Sequence, residues 1–126
     1  MVQNTTVDWL HTRRDAGDAV LLHGCCHNPT GIDYTPADWD EIAPLLAASG
    51  ALPLLDLAYQ GLGAGMEEDA YGTRRVLAAV PEALVAYSCD KNFGLYRDRV
   101  GAFYVLAKDA AQTQAALSNG HSLARA

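Results

Sequence analysis

Positive charge is scarce in this chain. Nine lysines and arginines face fifteen aspartates and glutamates in 126 residues, a net charge of −6. The few basic residues form no cluster, so the sequence offers no footprint for nucleic acid or an anionic membrane surface. Long apolar runs are also missing, and none approaches the roughly 20 residues that a membrane-spanning helix needs. Cysteine is sparse, with three residues of which Cys25 and Cys26 are adjacent. That is no disulfide framework, and it fits a reducing compartment. Residues 1–4 have neither the basic nor the apolar region of a secretion signal, so a cytoplasmic location is expected. Gly61, Gly63 and Gly65 do not complete G-x-G-x-x-G and no P-loop sequence occurs, which counts against a Rossmann-like nucleotide binder. His23, Cys25, Cys26 and His27 lie close together but match no common zinc spacing, so no metal is expected. Cys89 has no evident histidine base and reads poorly as a nucleophile.

Half of the residues are hydrophobic and 19% are charged, an ordinary globular balance. The length suits one domain or part of one, with enough chain to bury a core. A short helix is predicted over residues 7–15, with Thr6 as its N-cap and Gly17 ending it. Residues 19–24 form a continuous apolar run of the kind found in buried parallel strands. Asn28-Pro29-Thr30-Gly31 is a turn. Thr35 caps a second helix, with Pro36 at its first position and Gly50 as its stop. Pro44 falls inside that helix and predicts a kink. A second strand covers residues 52–57, a helix residues 67–80, and a third strand residues 83–88. A fourth strand is expected at 102–106 and a last helix at 109–117, with residues 118–126 a frayed tail.

Strands alternating with helices imply a parallel α/β sheet with right-handed crossovers. The link from Ser88 to Gly101 is short and has no helical pattern. A parallel return needs a crossover, usually a helix, so the fourth strand should run antiparallel. The carboxyl ends of the first three strands and the start of the fourth then share one edge. Asn28, Asp56, Ser88, Lys91 and Arg99 all fall at that edge, where open α/β sheets bind their ligands.

The chemistry of these residues is specific. A lone lysine at the end of a buried strand is a candidate amine nucleophile. The arginine eight residues on offers a planar fork for a phosphate or carboxylate. A Schiff-base lysine with a phosphate-binding arginine is what a pyridoxal phosphate (PLP) site requires. The other residues read two ways. Asp56, at the end of an apolar strand, needs a cation or donors if buried, or else caps its turn. Asn28 either stabilises the turn before Pro29 or faces a ligand. His23 and His27 are either donors behind Asp56 or core histidines with satisfied hydrogen bonds.

Three stretches, in order, resemble the aspartate/aromatic aminotransferases, a branch of the fold-type-I PLP enzymes. They are Leu21-Leu22-His23-Gly24-Cys25-Cys26-His27-Asn28-Pro29-Thr30-Gly31, then Asp56-Leu57-Ala58-Tyr59-Gln60-Gly61, then Ser88-x-x-Lys91-Asn92-Phe93-Gly94-Leu95-Tyr96-x-x-Arg99-Val100-Gly101. The resemblance spans roughly residues 7–123, and the family's enzymes are about three times longer. It therefore implies an internal piece, residues 1–126 being part of a three-layer α/β/α large domain.

The resemblance implies a role for each residue. Lys91 would hold PLP covalently and then move protons as acid and base. Asp56 would pair with the pyridinium nitrogen, and Tyr59 and Asn28 would reach the phenolic oxygen. Ser88 and Arg99, rather than Arg97, would hold the phosphate. The implied reaction is amino transfer between an amino acid, aspartate or aromatic, and a 2-oxo acid. The implied assembly is a homodimer, and a fragment this short is expected to turn over little or not at all. The alternative is a non-catalytic remnant that only folds or associates. Asp90 departs from the small residue usual before the lysine, and a carboxylate there is expected to raise the lysine pKa.

Overall fold

The computed structural model describes residues 3–12 and 17–124. Its elements are α1 (Gln3–Thr12), β1 (Ala19–His23), α2 (Pro36–Ser49), β2 (Leu52–Leu57), α3 (Tyr71–Leu77), β3 (Ala83–Ser88), β4 (Gly101–Leu106) and α4 (Ala110–Ala124). The strands lie in the order β1-β2-β3-β4. β1, β2 and β3 are parallel, and β4 runs antiparallel to β3, as the short helix-free link required.

Strand alternation sorts the side chains onto two faces. Val20, Leu22, Leu55, Ala83 and Val85 share the face that meets Leu10, Trp39, Ile42, Ala43, Leu46 and Val76 of the helices. Leu10, Ile42, Leu55 and Val76 are completely buried there, each leucine or isoleucine contributing about 1.5–3 kcal/mol by its burial. The strands step the same way at both crossovers, and α2 and α3 pack together on one side of the sheet, the arrangement that right-handed crossovers produce. Among the described residues α1, α2 and α3 thus form one helical layer on this face of the sheet. The opposite face carries Leu21 and Phe103, 60% and 58% exposed.

Local signals explain the helix ends. The Thr35 hydroxyl accepts the Asp38 N–H at 3.2 Å and the Asp38 carboxylate accepts the Thr35 N–H at 2.7 Å, a capping box that starts α2. Gly50 closes it at φ 72°, in the left-handed region. Pro44 does not interrupt this helix. It sits on the exposed side, where solvent serves the carbonyl that its missing N–H leaves free.

Four expectations need correction. Thr6 is inside α1 rather than capping it, and its hydroxyl pairs with the Tyr34 hydroxyl at 2.8 Å; residues 13–15 of the predicted helix lie outside the described residues. The third helix is shorter than 67–80, because Asp69 anchors the preceding turns instead of a helical first turn. Its carboxylate accepts the N–H groups of Gly61, Gly63 and Ala64 at 2.8–2.9 Å. The first and fourth strands shift by one residue each, ending at His23 and starting at Gly101. Residues 118–124 are helical rather than frayed, and the Ser122 hydroxyl donates to the Ser118 carbonyl at 3.0 Å. Serine back-bonding absorbs the polar character that suggested a tail.

Candidate active site

The carboxyl edge of the sheet opens into a cleft of about 190 Å³. His23, Asn28, Asp56, Tyr59 and Lys91 line it, with Cys25 and Ala58 completing the wall. Asp56 reaches the edge as the penultimate residue of β2, where its Cα partners are His23 and Ala86. The alternation of β2 turns Asp56 away from the helix-packed face, since Leu55 and Leu57 are buried on that face. Its carboxylate has no hydrogen-bond or ion-pair partner among the described residues. The Lys91 ammonium lies 5.0 Å from the centre of the Tyr59 ring, a cation–π contact, and no carboxylate pairs with it among the described residues. Asn28 Nδ2 stands 3.5 Å from the Tyr59 hydroxyl. Amine, acid, phenol and amide therefore converge on one cleft, the amide donating to the phenol and the amine over its ring.

The loops behind the cleft are pinned by acids that the sequence reading missed. Asp33 accepts the N–H groups of Cys26 and His27 at 2.8 Å each, holding the bend after β1. Cys26 takes φ 50° there. The Asp33 signal was legible as an acid following a proline–glycine turn, where such side chains bond nearby backbone. His27 Nδ1 lies 2.6 Å from the Thr30 hydroxyl, and its ring stands 4.4 Å from that of His23. Of the two histidines, only His23 borders the cleft.

Burial, then Cys26 and Asp69, push the Cys25 thiol up to about 12, and burial with Asp33 raises Cys26. Asp69 loses solvation by burial, yet the backbone N–H groups of Gly63, Ala64, Gly61 and Gly65 hold its carboxyl below the usual range. The two thiols and the Asp69 carboxylate come within 4.8 Å of one another. Burial disfavours ionisation of these thiols, and the neighbouring Asp69 carboxylate already accepts the loop N–H groups.

Ser88 and Arg99 reach the same edge but do not line the cleft. The Ser88 hydroxyl accepts the Asp90 N–H at 3.2 Å. Arg99 Nη1 lies 2.5 Å from Asp90 Oδ2. In this pairing the Asp90 carboxylate faces Arg99. Arg97 is exposed. The residues present thus fit the ring, aldehyde and ring-nitrogen functions of PLP. At the phosphate end, a carboxylate already faces the guanidinium.

Ligands of open α/β sheets bind at this edge, and the cleft lies at that edge of the sheet. The family model for aminotransferase class I and II matches residues 2–124, and the chain belongs to that family. It is 59% identical over 100 residues to an aromatic-amino-acid aminotransferase of Paracoccus denitrificans, covering 79% of this chain and 25% of that protein. It is 52% identical over 128 residues to an aspartate aminotransferase of Haemophilus influenzae, covering 98% of this chain and 32% of that protein. The chain therefore spans between a quarter and a third of these relatives. Among solved structures, an aromatic-amino-acid aminotransferase of Burkholderia pseudomallei covalently bound to pyridoxal phosphate superposes with a TM-score of 0.85 at 36% identity. That match covers 92% of this chain and 29% of that one.

Proposed function

We propose that this chain is the cofactor-binding centre of a PLP-dependent aminotransferase acting between an amino acid, aspartate or aromatic, and a 2-oxo acid. The convergence of Lys91, Asp56, Tyr59 and Asn28 on one cleft carries this reading. PLP, when bound, supplies an aldehyde and an electron-withdrawing ring. Lys91 is the amine that would meet that aldehyde, and in its free form it would serve as acid and base for the 1,3-proton shift between the substrate α-carbon and the former aldehyde carbon. Asp56 holds a proton on the ring nitrogen by offering an unpaired carboxylate. Tyr59 and Asn28 orient the ring through its phenolic oxygen, and Ser88 and Arg99 are the groups available to its phosphate. The remaining two thirds or more of the relatives' length belongs to the complete enzyme, expected as a homodimer, so the isolated chain has little or no turnover. A second reading, a folded associating module without cofactor, draws on the exposed apolar face around Leu21 and Phe103.

Borohydride reduction separates the two. With PLP present, a visible absorption band and label mapped to Lys91 are expected, and Lys91→Ala removes both. Label elsewhere, or none in a folded sample, overturns the cofactor reading in favour of the module.

A further inference from the structure

The Asp90–Arg99 pair is a feature beside the cleft that the family reading leaves unused. Asp90 is 3% exposed. One of its oxygens meets Arg99 Nη1, and the other, Oδ1, is buried without a partner among the described residues. Arg99 is bent toward this contact by a left-handed backbone, φ 53°, which is uncommon for a residue with a side chain. The loop closes on itself just beyond, where the Cys89 N–H donates to the Val100 carbonyl at 2.9 Å. A buried acidic side chain thus already engages one nitrogen of a guanidinium that is otherwise exposed.

We propose that Asp90 is an internal competitor for the phosphate of the cofactor on Arg99, so that this chain discriminates against the phosphorylated ring. The proposal rests on the PLP reading of the cleft. Its physics is local. A phosphate monoester carries close to two negative charges at neutral pH. Docking it on Arg99 either displaces Asp90, leaving a buried carboxylate with neither oxygen paired, or sets two anions on one guanidinium. Both routes weaken binding of the phosphate arm and leave the ring, held by Lys91, Asp56 and Tyr59, untouched. A small neutral residue at position 90 would free the fork of Arg99 without altering the ring contacts.

The test compares PLP with 5′-deoxypyridoxal, which has the same ring and aldehyde and no phosphate. Dissociation constants for both are measured by equilibrium dialysis and absorbance titration on the 126-residue chain, on Asp90→Ser and on Asp90→Asn. Asp90→Asn keeps the side-chain shape and guards against a folding defect in the serine variant, and circular dichroism checks both. Removing the charge should tighten PLP binding by about tenfold to a hundredfold, the range of one charged hydrogen bond, with 5′-deoxypyridoxal binding unchanged. PLP affinity unaltered in both folded variants, or both ligands tightened alike, overturns the competitor while the cofactor reading stands. Failure of every variant to bind either ring overturns the cofactor reading and the proposal together.

Discussion

Cys25 borders the cleft yet is only 7% exposed, and burial pushes its thiol from 9.0 up to about 12. In the unfolded chain the thiol ionises near 9.0. Between pH 9.0 and about 12 the unfolded state therefore sheds a proton that the folded state keeps. The unfolded state binds fewer protons there, so stability falls as pH rises through that window. Denaturant titrations should show the decline, and Cys25→Ala should flatten its slope. Alkylation of Cys25 should be slow in the native chain and fast after unfolding. Lys91 is the contrasting residue, a half-buried amine without an acid partner among the described residues, left available to an aldehyde.

Three residues fix the loops and helices around the sheet, and the loss of each should be measurable. Asp69 ties down the Gly61–Ala64 backbone through three N–H groups. Asp69→Asn replaces a full acceptor by a group that turns an N–H₂ toward those donors, at an expected cost of about 2–4 kcal/mol in urea unfolding. The Asp69 carboxyl is held below 3.8 when folded. Its contribution is present above that value and disappears as pH falls through the lowered folded value, so acid unfolding of Asp69→Asn should lose part of its pH dependence. Gly72, in the first turn of α3, lets that helix approach the Trp39 indole so closely that an added Cβ would overlap the ring. Gly72→Ala should cost about 1–3 kcal/mol by overpacking. Thr35→Ala removes the capping box of α2 and should cost about 1 kcal/mol.

At the scale of the whole molecule, the sheet is covered on one face. β1 and β4 are its edges, and Leu21 and Phe103 look out from the other face. Exposed apolar surface of this kind attracts other apolar surface. The chain should therefore enhance the fluorescence of a hydrophobic dye, and the double variant Leu21→Ser, Phe103→Ser should reduce that signal with little change in circular dichroism. The chain spans only a quarter to a third of the length of these relatives.

Much of the architecture was legible because it follows from pattern. Continuous apolar runs at β1, β2 and β3, separated by helix signals such as Thr35-Pro36 and Gly50, dictated parallel pairing. The helix-free link before Gly101 dictated the antiparallel return. Strand order alone then sent Asp56 and Lys91 to the same edge. Other features were decided by contacts between residues distant in sequence. Asp69 shortened α3 because the glycine loop came within reach of its carboxylate, and Tyr34 drew the Thr6 hydroxyl into a pair inside α1. Asp90 met Arg99 because the loop between Ser88 and Gly101 folds back on itself. Chain periodicity determines which face a residue points to, but the partner of a polar group is whichever donor or acceptor the finished packing leaves beside it.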